Sequence, residues 1–189
     1  GVINALTHLN VLSPTQGRID TLAVLYMNDN KHIQALNTIG IEKLATDSDM
    51  AVEVKAVSLQ RLNQPARAVV HFEELFKRSP SVMVAYELAD LKIQLDDMAG
   101  ATLHISYGLE NAKEDMMRPF YESQTPYQVP MKAAFTYLKG LAKFKINNDL
   151  NLDAAIVLFD EALQLAPNFN LAQLSKNALE SRKTPITKE

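Results

Sequence analysis

The sequence contains no cysteine, which excludes disulfide bonds, thiolate metal sites and a cysteine nucleophile. Tryptophan is also absent, and glycine is scarce, with 6 residues in 189. The formal net charge is only -3, so the chain has no excess of positive charge that would attract nucleic acid or anionic lipid. No apolar run approaches the roughly 18 residues that a membrane-spanning helix needs. Composition therefore favours a globular protein that neither binds nucleic acid nor inserts into a membrane.

The sequence also lacks the motifs of common catalytic sites. It has no GxSxG, P-loop, HExxH or dinucleotide-binding glycine pattern. His71 and His104 are 33 residues apart, but two imidazoles need further ligands to form a good metal site, and no acidic residue is placed to complete one. We therefore expect no enzyme activity, no metal and no cofactor.

What the sequence does contain is helical periodicity with an internal repeat. Small residues recur in pairs, the second twelve positions after the first, and a bulkier apolar residue follows four positions later. The three sets are Ala23, Ala35 and Ile39; Ala56, Ala68 and Phe72; and Ala89, Ala101 and Ile105, each set 33 residues after the last. A fourth copy, with a turn three residues longer, is Gly140, Ala155 and Phe159. This period predicts helical hairpins that stack side by side.

The pattern has a simple physical interpretation. A small residue midway along each helix lets the two backbones approach closely, and the bulky residue one turn later fills the remaining space. Pro80 and Pro167 are expected to end second helices, because proline cannot continue a helix without losing a hydrogen bond and clashing with the preceding turn. One hairpin cannot bury its apolar face alone, so neighbouring hairpins must share a core.

In the order small, small, large apolar, alanine, proline, the repeat resembles the tetratricopeptide repeat. The best match is Gly140, Ala155, Phe159, Ala162 and Pro167. The resemblance implies an all-α, right-handed α-solenoid of about four helical hairpins with a C-terminal capping helix. Another type of helical-hairpin solenoid is the alternative. We expect repeats at about 16–48, 49–81, 82–114 and 133–168 within a domain spanning 16–170, an insertion at about 115–132, a capping helix at 169–183 and a frayed tail at 184–189.

The N-terminal segment 1–15 allows two interpretations. It is either the second helix of an upstream hairpin that ends at Pro14, or a leader in which Ser13 and Pro14 open the first repeat. The chain begins with Gly1 rather than Met, and we hypothesise that a secretion signal preceded it. That would place the protein in the bacterial periplasm or outside the cell; otherwise it is cytoplasmic.

The insertion between the third and fourth repeats contains three aromatic residues, Phe120, Tyr121 and Tyr127. We expect the preceding helix to continue to Met117, beyond which three prolines forbid a regular helix. The aromatics either form a flap over a ligand in the groove or pack on the third and fourth repeats. We favour the second interpretation, because exposed aromatic side chains usually need burial.

The resemblance implies that the first helices of the hairpins line a concave groove where ligands bind. Residues placed to face inward, counted from the small residue of each first helix, are Asp20, Val24, Met27, Asn28; Glu53, Val57, Gln60, Arg61; Tyr86, Asp90, Ile93, Gln94; and Tyr137, Leu141, Phe144, Lys145. The carboxylates along this wall would repel the C-terminal carboxylate of a chaperone tail. We expect a protein-interaction scaffold that binds a peptide with apolar side chains and a basic group. The alternative is a structural module of a larger assembly or homo-oligomer, with its groove filled by the insertion or another copy.

Overall fold

The structure, a computed structural model, describes residues 1–183, and the predicted tail at 184–189 lies outside them. The elements within the described part are α1 (Val2–Leu12), α2 (Gln16–Asn28), α3 (His32–Ile39), α4 (Asp49–Arg61), α5 (Pro65–Arg78), α6 (Val82–Gln94), α7 (Met98–Asn111), β1 (Met117–Phe120), β2 (Tyr127–Pro130), α8 (Met131–Ile146), α9 (Leu152–Leu165) and α10 (Asn170–Lys183). The chain divides into two compact units, Gly1–Val84 and Ala85–Glu189, which are described separately below.

Each predicted repeat is a pair of helices joined by a short turn, and three of these turns share one backbone feature. Asn30, Asn63 and Asp96 have φ angles of 58°, 55° and 60°. These residues are 33 positions apart, and asparagine and aspartate tolerate the left-handed region better than most residues do. The period found in the alanines is therefore also present in the backbone. The longer turn before α9 has no such residue.

Three helices end in the same way, immediately before a proline. Their C-caps are Ser13 (φ −151°, ψ 80°), Ser79 (φ −147°, ψ 86°) and Ala166 (φ −146°, ψ 87°). The first of these shows that α1 ends like a second helix of a hairpin. Helix α2 begins at Gln16, and its N-cap is Thr15, whose side chain accepts a hydrogen bond from the Arg18 backbone N–H. The interpretation in which Ser13 and Pro14 open the first repeat is therefore wrong.

The small residues lie where helices approach closely. Ala23, Ala56 and Ala89 are completely buried. In the fourth copy, a Cβ atom added at Gly140 would lie 2.6 Å from the ring of Phe159, the predicted bulky partner. Helix α7 meets α8 by the same means, through Gly108.

The insertion differs from the prediction at both ends. Helix α7 stops at Asn111 rather than continuing to Met117, because Ala112 is extended (φ −69°, ψ 124°) and its side chain is buried. The prolines do prevent a helix, but β1 and β2 form an antiparallel hairpin that we did not predict, with Met117 opposite Pro130 and Phe120 opposite Tyr127. A two-stranded hairpin tolerates proline because each strand has a free edge.

In the first unit, helix α3 is only 8 residues long, and the segment Gly40–Ser48 leads to α4. The fully buried Lys55 holds this segment: its Nζ atom donates to both carboxylate oxygens of Asp47 at 2.7 and 2.8 Å and to the Glu42 carbonyl at 2.7 Å. The buried His71 Nε2 donates to the Ile41 carbonyl at 2.8 Å. The buried charge of Lys55 is tolerated because Asp47 and Glu42 accept hydrogen bonds from its ammonium group.

Burial is the main cause that lowers the pKa of His71 below its ordinary value of 6.5. The folded chain therefore binds this proton less readily than the unfolded chain does, and His71 should reduce the free energy of unfolding as the pH falls below 6.5. His71→Gln keeps a donor for Ile41 and removes the titration. Urea denaturation at pH 7.5 and about pH 5.5 should show a smaller pH-dependent loss in the variant. Replacing the exposed His8 with Gln is the control, and an equal loss in the parent chain and His71→Gln would contradict the assignment.

The close approach at Gly108 gives a second prediction. A Cβ atom there would lie 2.1 Å from Cζ of Phe135, and two further ring atoms would be within 2.3 Å. Gly108→Ala should therefore reduce the free energy of unfolding by about 1–3 kcal/mol, because the buried ring must move. Gly17→Ala is the matched control, since nothing lies within 4 Å of an added Cβ. Thermal denaturation that showed equal stability for the two variants would contradict this account.

Candidate functional site

In the first unit, Asp20 does not face a ligand as predicted. Its carboxylate is buried and accepts hydrogen bonds from Gln16 Nε2 at 2.7 Å and from Ser48 Oγ at 2.6 Å. The oxygen of Ser48 also accepts from the Ala51 backbone N–H and caps α4. Asp20 therefore joins the start of α2 to the start of α4, and its charge is used within the fold.

The other predicted residues of this unit divide into packed and exposed ones. Val24 and Met27 are half-buried against the core cluster of Ala23, Ala35 and Val54. The other predicted residues of this unit are half-buried or exposed, and they are Asn28, Glu53, Val57, Gln60 and Arg61. The role of these residues in binding stays a prediction.

In the second unit, the β-hairpin covers Tyr86. The guanidinium carbon of Arg118 on β1 lies 3.8 Å from the centre of the Tyr86 ring, an arrangement typical of a cation–π interaction. Arg118 Nη1 also pairs with Glu87 at 2.7 Å. The edge of the Phe120 ring meets Tyr86 at 6.5 Å between centroids. The side chain of Tyr86 is consequently buried, and burial raises its pKa well above the usual range.

The hairpin also packs against α8 and the start of α10. Phe120 stacks on Tyr127 at 5.6 Å and meets Phe169 at 5.0 Å, and Phe169 in turn lies 5.1 Å from Tyr137. Tyr127 Oη donates to Glu122 and accepts from the Leu171 backbone N–H. By contrast, 67% of Tyr121 is exposed. Phe120 and Tyr127 thus pack within the unit. The hairpin covers one predicted inward residue, Tyr86, whereas Tyr137 is covered by Phe169.

Three predicted residues of this unit remain partly accessible, and we call them the α6–α8 face: Asp90 on α6, and Leu141 and Phe144 on α8. All three are half-buried. Leu141 and Phe144 follow Tyr137 at helical spacing, so they share its side of α8. Burial is the main cause that raises the pKa of Tyr137, and the charge of Asp90 contributes in the same direction, so the two groups interact electrostatically.

The environment of Asp90 is unfavourable to its negative charge. Burial, and then the neighbouring carboxylate of Glu87, raise the pKa of Asp90 above its ordinary value. Gln94 Nε2 donates to its Oδ2 atom at 2.8 Å, and Arg118 gives a smaller opposing effect. A cation placed beside Asp90 would therefore be stabilised.

Two other predicted residues, Lys145 and Ile93, help to hold α8 in position. Lys145 Nζ donates to the Ile93 carbonyl and to Asp96, each at 2.9 Å, and the side chain of Ile93 is buried. At the other edge, the guanidinium carbon of Arg182 on α10 lies 5.1 Å from the centre of the Phe144 ring. The α6–α8 face is thus fixed on both sides.

No group of three or more His, Asp or Glu residues within 1–183 is placed to hold a metal ion. Over the same part of the chain, no helix is both long enough and apolar enough to cross a bilayer.

Neither a family model nor a curated protein matches this sequence. The structure is similar to several solved structures, including the following two. A tetratricopeptide repeat protein from Parabacteroides merdae ATCC 43184 superimposes with a TM-score of 0.67 over 96% of this chain, at 15% identity. A structure described as MamA MSR-1 C2 gives a TM-score of 0.58, at 14% identity, over 89% of this chain and 98% of its own. The chain has a tetratricopeptide-like fold. This confirms the predicted all-α helical-repeat class, and the chain spans 65% of the Parabacteroides structure.

Sequence reasoning missed the residues that fix the β-hairpin insertion. Arg118 and Glu87 lie 31 positions apart in sequence, and no local pattern marks them as a pair. Phe169 is the first residue of the predicted capping helix, and its ring joins Phe120 to Tyr137. The one available signal was the density of aromatic residues in the insertion, which indicates a need for apolar partners.

Arg118→Met tests how the hairpin is held. The variant keeps an apolar stem but loses the cation over Tyr86 and the ion pair with Glu87, so hairpin stability should fall by about 1–2 kcal/mol. Chymotrypsin cleavage at the exposed Tyr121 should become faster, as measured by mass spectrometry of timed digests. Arg67→Met, at an exposed arginine whose side chain bonds Gln64, is the control. Equal cleavage rates in the two variants would show that Arg118 does not hold the hairpin.

Proposed function

We propose that this chain is a protein-interaction scaffold that binds a segment of a partner protein on the α6–α8 face. The observation that carries the proposal is that Asp90 is a half-buried carboxylate that acts electrostatically on Tyr137 of α8, while Leu141 and Phe144, on the Tyr137 side of that helix, are accessible apolar residues. No arrangement of a nucleophile with a base supports a catalytic alternative in residues 1–183. The tetratricopeptide-like fold is consistent with binding, although fold alone does not give function.

The chemistry of the face indicates the partner. Asp90 favours a Lys or Arg side chain, whose charge would offset the unfavourable effects of burial and of the neighbouring Glu87 on this carboxylate. Leu141 and Phe144 favour an apolar side chain next to that basic residue. A terminal carboxylate, such as that of a chaperone tail, would be repelled by the same acids.

The mechanism is preorganisation. Lys145 and Tyr137 fix α8 to neighbouring elements through Asp96 and Ser175, so the binding side chains are already in place before a partner arrives. Little conformational entropy is then lost on this side when a flexible segment docks.

A second candidate function is a structural module of a larger assembly. It is favoured by two observations: the hairpin covers Tyr86, and α1 has no buried residue and no Asp, Glu, Lys or Arg side chain. The exposed apolar residues of α1 are Val2, Leu9, Val11 and Leu12. A helix so apolar usually packs against another element. Sedimentation velocity over a concentration series distinguishes the candidates, because a monomer at all concentrations argues against self-assembly.

Selection from a random phage-displayed peptide library tests the main proposal. Enriched peptides should carry Lys or Arg beside an aromatic or aliphatic residue. Asp90→Asn should weaken a selected peptide by about tenfold, and Phe144→Ala by a similar factor, as measured by fluorescence anisotropy. Asp115→Asn, at an exposed acid outside the face, is the matched control. Selected peptides without basic residues, or equal affinity in Asp90→Asn and Asp115→Asn, would overturn the proposal.

A further inference from the structure

A second groove lies in the same unit, on another side of α8. It has a volume of about 330 Å³. Matching positions of two helices form its walls, namely Thr102, Ile105, Ser106 and Leu109 of α7 and Lys139, Ala142, Lys143 and Ile146 of α8, with Leu158 of α9 beside them. These α8 positions differ from Leu141 and Phe144, so the groove is separate from the α6–α8 face. We call it the α7–α8 groove.

The charge of the α7–α8 groove is of one sign. Lys139 and Lys143 are both exposed, and neither has an ion-pair partner within residues 1–183. No carboxylate lines the cavity. An apolar floor with two ammonium groups that have no ion-pair partner in the described part of the chain is complementary to a segment that carries an apolar side chain and a carboxylate.

The repeat identifies a surface in the first unit that is equivalent to the α7–α8 groove. Lys139 immediately precedes the small residue Gly140, as Lys55 immediately precedes Ala56. Leu158 likewise follows Ala155 by three positions, as His71 follows Ala68. The groove residues Lys139 and Leu158 are therefore the counterparts of Lys55 and His71.

In the first unit this place is occupied. The segment Gly40–Ser48 lies over Lys55 and His71, the Asp47 carboxylate pairs with Lys55, and the Ile41 carbonyl accepts from His71. In the second unit, α7 continues for 14 residues where α3 has 8, and the chain then enters the β-hairpin. The counterpart lysine consequently stays exposed, with no segment over it among the described residues.

We propose that the α7–α8 groove binds an extended acidic segment of a partner protein, in the way that Gly40–Ser48 covers Lys55. The partner's carboxylate pairs with Lys139, and an apolar side chain near it rests on Ile105 and Leu158. The proposal goes beyond the α6–α8 face and does not depend on it, since the two surfaces favour opposite charges.

The chain supplies its own probe. A synthetic peptide with the sequence of residues 40–48, GIEKLATDS, carries the apolar and acidic groups that satisfy Lys55. Titrated into the isotope-labelled chain, it should shift the amide NMR signals of 102–109 and 139–146, and added salt should weaken the effect. Shifts confined to other regions, including those around Lys55 or the α6–α8 face, would overturn the proposal.

A charge exchange makes the test specific. Lys139→Met should weaken the peptide by about three- to fivefold, the usual effect of one exposed ion pair. Lys139→Glu should weaken peptide binding further. A peptide in which lysine replaces the aspartate that corresponds to Asp47 should recover binding to the Lys139→Glu variant. Lys113→Met is the matched control, because this lysine is exposed and lies outside the groove. Lys139 is exposed, so these variants should fold normally. Equal affinity in Lys139→Glu and the parent chain, or no recovery on charge exchange, would overturn the proposal.

Discussion

The close approach of helices at small residues is the constraint on which the rest of the structure depends. Ala23, Ala56 and Ala89 have no accessible surface, and at Gly108 and Gly140 an aromatic ring occupies the space where a Cβ atom would be. Dense packing of this kind leaves little room for adjustment, so the position of each helix is set by its neighbour. The orientation of every side chain on the α6–α8 face and in the α7–α8 groove follows from that placement.

Polar interactions of three side chains stabilise the fold in addition to the apolar packing. Lys55 and Asp20 are buried polar residues, and both bond to the irregular segment 40–48, Lys55 through Asp47 and Asp20 through Ser48. Arg118 has the same role for the β-hairpin. The three side chains hold the parts of the chain whose backbone geometry is not repeated.

This division explains what could be predicted from the sequence. The alanine period, the prolines after second helices and the capping helix are local or strictly periodic signals, and they gave the helical-repeat class correctly. The β-hairpin depends on contacts of Phe120 and Arg118 with residues more than 30 positions away, which leave no periodic trace. Counting from the small residues predicts that Asp20 and Tyr86 face a ligand. Contacts with residues distant in sequence bury both side chains instead. Asp90, Leu141 and Phe144 remained accessible because no such contact covers them fully.

The left-handed turns at Asn30, Asn63 and Asp96 have a consequence for the history of the chain. Each of these three hairpins reverses direction through one residue of permissive backbone geometry, at the same position in the repeat. An in-frame duplication or deletion between two such residues would join one turn to another and preserve every helix boundary. Arrays with this property can lengthen or shorten by whole hairpins through recombination, without first acquiring a new connecting loop.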